Sequence, residues 1–420
     1  MTLLLKNATY IDWRTLEFKA TNILVEESIN GKISFTDHTN IKDTKTLDCK
    51  GKLVTKSFAV GHHHVYSALA RGMPAAKKNP VNFNEILQYI WWTLDKALDK
   101  EMIEASALTT AIACAKAGST FVIDHHASPN CIEGSLDIIA NAFNKVGVSH
   151  LLCYEITDRD GQEKAGQGLA ETENHLKNNQ GLIGLHASFT VGNKSMRKAA
   201  DLMRKYHSGI HIHVAEDKYD QQHSIETYGK RVVERLNDFG ILNSSKTILG
   251  HCLHIDDNER NILKNSKAFV VQNTESNLNN NVGYFNSQGL SNNIMLGTDG
   301  MHSDMLRSAQ NAFFVGQGFD KINFPSTYER FRKVHNYLQM NNFYGDGENN
   351  LVILDYPSPT PINQDNFLGH FIYGFSSNNV QHVISNGKLI VKNRTIQTVN
   401  EKEILDFSKE QAKRLWKKLD

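Results

Sequence analysis

Apolar and polar positions along this chain keep two different rhythms. Residues 1–52 carry the two-residue alternation of strands, with short β-rich runs at Leu3–Ile11 and Thr21–Glu26 and a turn signal at Asn30-Gly31. At Leu53 the texture changes. Leu53–Val60 is mostly apolar, interrupted by Thr55-Lys56-Ser57, and leads into Gly61-His62-His63-His64. Ile86, Leu87, Ile90, Trp91, Leu94 and Leu98 recur at helical spacing and predict a helix over Glu85–Asp99, with at least one of Trp91 and Trp92 in the core. From Glu101 helices and strands take turns. Helices are expected over 101–117, 136–145, 164–178, 195–207, 231–239 and 256–264. Strands are expected over 119–123, 148–154, 182–185, 210–213, 247–249, 268–271 and 293–296. With the run before His62 there are eight strands, which predict an α/β chain folded as a closed (β/α)8, TIM-like barrel. An open doubly wound sheet is the runner-up, but no glycine-rich phosphate fingerprint follows the first strand. Beyond Asp299, residues 328–340 and 401–419 read as helices. Residues 349–355, 369–375 and 380–391 read as β-rich, with a hairpin turn at Asn386-Gly387, and complete the sheet begun by residues 1–52.

Composition narrows the class. A chain of 420 residues with formal net charge +1 has no electrostatic case for nucleic acid or an anionic membrane. Its five cysteines are scattered and form no C-x-x-C pair, which argues against a disulfide framework or a cysteine-built zinc site. The opening Met1–Lys6 is too short an apolar stretch for a secretory signal, so the expectation is a cytoplasmic protein.

The nineteen histidines matter for where they stand. His62 and His64, two apart on an extended chain, point to the same side. Asp124-His125-His126, His186, His213 with Glu216, His251 and Asp299 end other strands, and in a barrel those ends share one mouth. Three histidines and a carboxylate make a first shell for Zn²⁺ or a similar divalent ion, such as Fe²⁺ or Mn²⁺, with a position left for water. On this reading His62, His64, His213 and Asp299 are the metal ligands, and Asp299 also accepts a proton from the attacking water. Glu216 carries that proton to a ring nitrogen or leaving amine, and His251 donates a hydrogen bond to the developing tetrahedral centre. His186 orients substrate or supports the shell, and Arg71 lies in the loop after the first strand, where substrate contacts are expected. His125 and His126 remain open between direct contact and support.

The motifs Gly61-His62-His63-His64, His213-Val214-Ala215-Glu216, His251-Cys252 and Thr298-Asp299, in that order, resemble the amidohydrolase superfamily. Within it the chain is similar to the mononuclear-metal deaminase and chlorohydrolase group. Tyr66–Met73, Asp124–Pro129, Tyr154–Gly161, His186–Thr190 and Gly297–Met301 are closer still to SsnA-type aminohydrolases. The resemblance implies a barrel over 53–349 and a small β-sandwich from 1–52 and 350–420. It also implies a homodimer acting on a small molecule and hydrolytic release of ammonia from a nitrogen heterocycle or amidine-like group. Hydrolysis of another C–N or a C–Cl bond, or a barrel that only binds, are the alternatives. Lys56-Ser57 stands where the family has Pro-Gly, the segment after Asp299 is shorter than usual, and His302 replaces a smaller residue at the expected pocket rim.

Overall fold

The computed structural model describes residues 2–419. Its strands are β1 (Thr2–Ile11), β2 (Phe18–Glu26), β3 (Ile33–Thr36), β4 (Lys45–Asp48), β5 (Leu53–Lys56), β6 (Phe58–His63), β7 (Ser119–His126), β8 (Ser149–Ile156), β9 (Ile183–Ala187), β10 (Ile210–Val214), β11 (Ile248–His251), β12 (Phe269–Gln272), β13 (Ile294–Leu296), β14 (Leu351–Leu354), β15 (Val380–Ser385), β16 (Lys388–Lys392) and β17 (Thr395–Ile396). The helices are α1 (Phe83–Ile86), α2 (Trp92–Ala97), α3 (Lys100–Lys116), α4 (Ser135–Val146), α5 (Gln162–Leu176), α6 (Asn193–Lys205), α7 (Lys218–Tyr228), α8 (Val232–Asp238), α9 (Asp257–Lys264), α10 (Thr274–Asn279), α11 (Met305–Phe319), α12 (Phe324–Met340), α13 (Phe367–Tyr373) and α14 (Glu401–Leu419). A π-helical turn, Leu87–Trp91, joins α1 to α2.

Strands β6 to β13 form one eight-stranded parallel sheet in chain order. The sheet closes on itself where the backbone N–H groups of Thr298 and Asp299 donate to the carbonyl of His62, at 3.0 and 3.2 Å. Gly61 permits that approach, since a Cβ there would stand 2.6 Å from the Leu296 carbonyl oxygen. Inside the barrel the residues grade from apolar to polar along each strand. Phe121 and Ile123 lead to His125 on β7, and Leu151 and Cys153 lead to Glu155 on β8. Val334, Tyr337 and Leu338 of α12 pack against Phe269 and Met295 and seal the apolar end. The polar ends therefore gather at the other mouth.

The run expected as one strand before His62 is two strands in two sheets. β5 lies between β1 and β14, β6 opens the barrel, and Ser57 is the crossing. The Arg332 guanidinium of α12 pins it, donating to the carbonyls of Lys56 and Ser57 at 3.1 and 2.8 Å. Ser57 Oγ adds a bond to Thr120 Oγ1 at 2.7 Å. The two termini build a nine-stranded mixed sheet that forks at β1, whose Leu3–Lys6 half pairs with β4 and whose Thr9–Tyr10 half pairs with β5.

Some expectations change. Residues 369–375, read as β-rich, belong largely to helix α13, because Phe367 and Phe371 fall one helical turn apart and stack in the core at 6.4 Å. The segment after Asp299 holds two full helices, α11 and α12. Among the described residues, no helix is long and apolar enough to cross a membrane.

Candidate active site

A shift in strand register decides which histidines face inward. Ala59 points into the barrel, so strict alternation would send Gly61 and His63 after it. The register between β6 and β7 shifts between Val60 and His63, and His62 and His64 turn in instead. On β10 the alternation runs unbroken and brings His211 and His213 inward.

The rings of His64 and His213 are each oriented by a backbone carbonyl. His64 Nδ1 donates to the carbonyl of His125 at 2.7 Å, and His213 Nδ1 donates to that of His186 at 2.8 Å. Each Nδ1 therefore holds the ring proton, and the two Nε2 lone pairs face one another at 3.1 Å. His62 Nδ1 is 2.9 Å from His211 Nε2, and His62 Nε2 is buried without a hydrogen-bond partner. Asp299 Oδ1 stands 3.2 Å from His64 Nε2 and 3.8 Å from His62 Nε2. Lone pairs converging on one point repel unless a cation sits among them. This donor set, three imidazole nitrogens and a carboxylate, fits a divalent ion of the zinc type.

Beside this cluster, His251 Nε2 is 3.4 Å from Glu216 Oε2 and 3.5 Å from Asp299 Oδ2, and Asn277 Oδ1 fixes its ring by accepting from Nδ1 at 2.7 Å. Burial pushes the Glu216 carboxyl up to about 7, against the pull of His251 and with the push of Asp299. Burial alone would raise Asp299 too, but the imidazoles around it, His64 first and then His251 and His213, outweigh burial and hold Asp299 well below the usual carboxylate range. Ala215, His251 and Asp299 all take left-handed backbone conformations, with φ of 46°, 68° and 50°. Strain of this kind costs roughly 1–3 kcal/mol per residue and persists where surrounding bonds enforce it. Asp220 enforces the first, its Oδ2 accepting the Ala215 N–H at 2.8 Å and its Oδ1 the Phe189 N–H at 3.2 Å.

The cluster forms the floor of a pocket with aromatic walls, Tyr66, Phe83, Trp91, Phe189 and Tyr219. Trp91 leaves the core for this wall at the π-helical turn, a device common at functional sites. His64, His213, Glu216, Asp299 and His186 all line the pocket. Two sequence candidates do not reach it. Arg71 is exposed, because the short helix carrying Tyr66 and Leu69 inward ends at Ala70 and leaves Arg71 facing solvent. His302 has both ring nitrogens engaged, Nε2 with Glu275 and Nδ1 with the backbone N–H of Asp304, so it braces the loop after Asp299. His126 bonds Ser128 Oγ at 2.9 Å, away from the cluster, whereas His125 lies against it. Glu155, His211 and Asn277 were not singled out by the sequence reading. Glu155 follows the expected end of the third barrel strand by one residue, and strand three was the first in the series assigned no polar end.

Residues 60–340 match the model of the amidohydrolase family. A 5'-deoxyadenosine deaminase of Methanococcus maripaludis is 25% identical over 417 residues, covering 93% of this chain and 96% of the relative. A 5-methylthioadenosine/S-adenosylhomocysteine deaminase of Thermoanaerobacter pseudethanolicus is 26% identical over 457 residues, covering 99% of each. Among solved structures, an adenosine deaminase from Xanthomonas campestris with bound zinc superposes with a TM-score of 0.83 at 16% identity, covering 98% of both chains.

Proposed function

The chain belongs to the amidohydrolase family, and from that premise we propose that it is a metal-dependent aminohydrolase that deaminates a nitrogen heterocycle or amidine-like group. The observation that carries this reading is the approach of the His64 and His213 Nε2 atoms to 3.1 Å of one another, with the Asp299 carboxylate 3.2 Å from His64 Nε2, under a pocket walled by aromatic rings. His62, His64, His213 and Asp299 would hold the metal, and zinc would suit their donor set best. Such an ion would supply the Lewis acidity that makes hydroxide available from water at neutral pH.

The protein's own groups do the rest. Asp299 accepts a proton from the attacking water. Glu216, beside His251 and Asp299, delivers a proton to the ring nitrogen or departing amine. His251, its ring fixed by Asn277 through Nδ1 and its Nε2 beside Glu216 and Asp299, donates a hydrogen bond from a protonated Nε2 to the developing tetrahedral centre. The aromatic walls exclude water and stack on a planar ring. The two deaminase relatives, similar over nearly their whole length, support ammonia as the product. A homodimer in the cytoplasm completes the reading, and sedimentation of the purified protein checks the dimer. The test of function is ammonia release from a panel of purines, pterins and pyrimidines by metal-loaded protein. Turnover of at least one ring with loss of its amine is expected, and no release across the panel would overturn the assignment.

A further inference from the structure

Glu155, at the end of β8, lines the pocket and has no part in the chemistry above. Its environment fixes which hydrogen-bonding role it can offer a ligand. His125 Nε2 lies 3.1 Å from the carbonyl of Leu185 and 3.2 Å from that of His211, so this nitrogen carries a proton. His125 Nδ1 faces Glu155 Oε2 at 3.3 Å. Two lone pairs do not face each other in a buried site, so a proton lies between them. Whether it rests on the imidazole or on the carboxyl, Oε2 is used up and Oε1 remains an acceptor. Among the described residues, no other hydrogen bond or ion pair reaches the Glu155 carboxylate.

His186, the neighbouring wall residue, is an acceptor as well. Its Nδ1 is 2.6 Å from Thr190 Oγ1, and the Thr190 hydroxyl donates to the Ala187 carbonyl at 3.2 Å. The hydroxyl therefore accepts from His186 Nδ1–H, and Nε2 keeps its lone pair. Glu155 Oε1 and His186 Nε2 are thus both acceptors, on residues that line the pocket together. A ligand edge of acceptors placed here leaves buried lone pairs opposed, whereas an edge of N–H donors satisfies them. The side also lies close to His213, one of the proposed metal ligands, since carboxylate and ring-nitrogen atoms of Glu155, His125 and His213 fall within 4.8 Å of one another.

We propose that Glu155 is a specificity-determining residue that selects rings bearing an N–H next to the carbon that loses its amine. The cyclic guanidine edge of a 2-amino-4-oxo ring has that donor. An adenine ring substituted at N9 has a carbon there, and apart from the departing amine its ring nitrogens are all acceptors. The proposal rests on the aminohydrolase reading and sharpens its substrate class beyond the adenosine-type relatives.

The experiment measures ammonia release by metal-loaded wild type and E155Q. The substrates are guanine and pterin, each paired with its counterpart methylated at the N–H adjoining the amino-bearing carbon, and 5'-deoxyadenosine. Wild type is expected to favour an unmethylated 2-amino-4-oxo ring over both its methylated counterpart and 5'-deoxyadenosine by about 10- to 100-fold in kcat/KM. In E155Q the gap contracts to within a few-fold, because an amide offers a donor as well as an acceptor, while metal content stays at the wild-type level. A purely steric effect of the methyl group would persist in E155Q, so an unmoved ratio overturns the proposal. So does a wild-type preference for 5'-deoxyadenosine, which needs no variant to observe. Either result leaves deamination itself standing, whereas silence across the whole panel removes the functional reading first.

Discussion

Replacing Asp220 with alanine should slow turnover about 100-fold while lowering the melting point by only a few degrees. Its carboxylate accepts the N–H groups of Ala215 and Phe189, and Ala215, held at φ 46°, immediately precedes Glu216. Alanine leaves two buried N–H groups without acceptors, at about 1–3 kcal/mol each, or about 2–6 kcal/mol in all. Unfolding entropy near 2.1 cal/mol/K per residue amounts to about 0.9 kcal/mol/K over 420 residues, so the melting point of a cooperative unit should fall by only about 2–7 °C. The rate answers to geometry instead. Freed from Asp220, the turn relaxes toward an ordinary conformation and carries Glu216 with it, and a shift of about 1 Å at a reacting group costs about 100-fold. Asp220→Asn keeps one acceptor and should fall between. The measurements are scanning fluorimetry, metal content and steady-state ammonia release on the three proteins. A kcat within about threefold of wild type, alongside the expected drop in melting temperature, would show that Glu216 needs no such brace and would refute the reasoning.

Glu216→Gln should retain bound metal and lose about 100- to 10,000-fold in turnover, since the amide cannot shuttle a proton, and elemental analysis beside an ammonia assay reads both. Chelation should abolish activity and lower the melting temperature. Restoring zinc at a hundred times its dissociation constant should return about 2.7 kcal/mol, and a melting curve indifferent to metal would count against the ligand cluster. Acid should destabilise the fold within a defined window. Burial pushes His126 down to about 3 and His150 to about 4, whereas the unfolded chain protonates them near 6.5.

 The unfolded state therefore binds more protons between pH 6.5 and about 3, and stability should decline as pH falls through that range and level off below it. Replacing His126 with asparagine should flatten the decline, as pH-dependent melting of both proteins would show.

The barrel was legible because its signals are local and repeat. Each strand is a short apolar run, each helix has its period, and glycines such as Gly147, left-handed at φ 92°, close helices where expected. The gathering of His62, His64, His213 and Asp299 was legible because they fall at strand ends that the topology brings together. The division at Ser57 was hidden, since β5 and β6 are both apolar and Arg332, the residue that pins the crossing, comes from α12. Helix α13 was masked by aromatic residues of high strand propensity whose spacing, Phe367 to Phe371, is helical. Glu155 escaped because its significance lies in a single partner, His125, from the neighbouring strand. Arg71 and His302 misled because charge at the mouth of a barrel is common, and what each side chain touches is decided by one backbone turn.

The bonds that join the first barrel strand to the last meet at His62 and Asp299, two of the proposed ligands. Closing the ring is consequently also what brings the Asp299 carboxylate to the histidines. During synthesis the histidines at 62 and 64 emerge long before their carboxylate, and they wait through seven further strands. A chain cut short of Asp299 is thus no weakened catalyst; it lacks the carboxylate of the set and the peptide groups that seal its barrel.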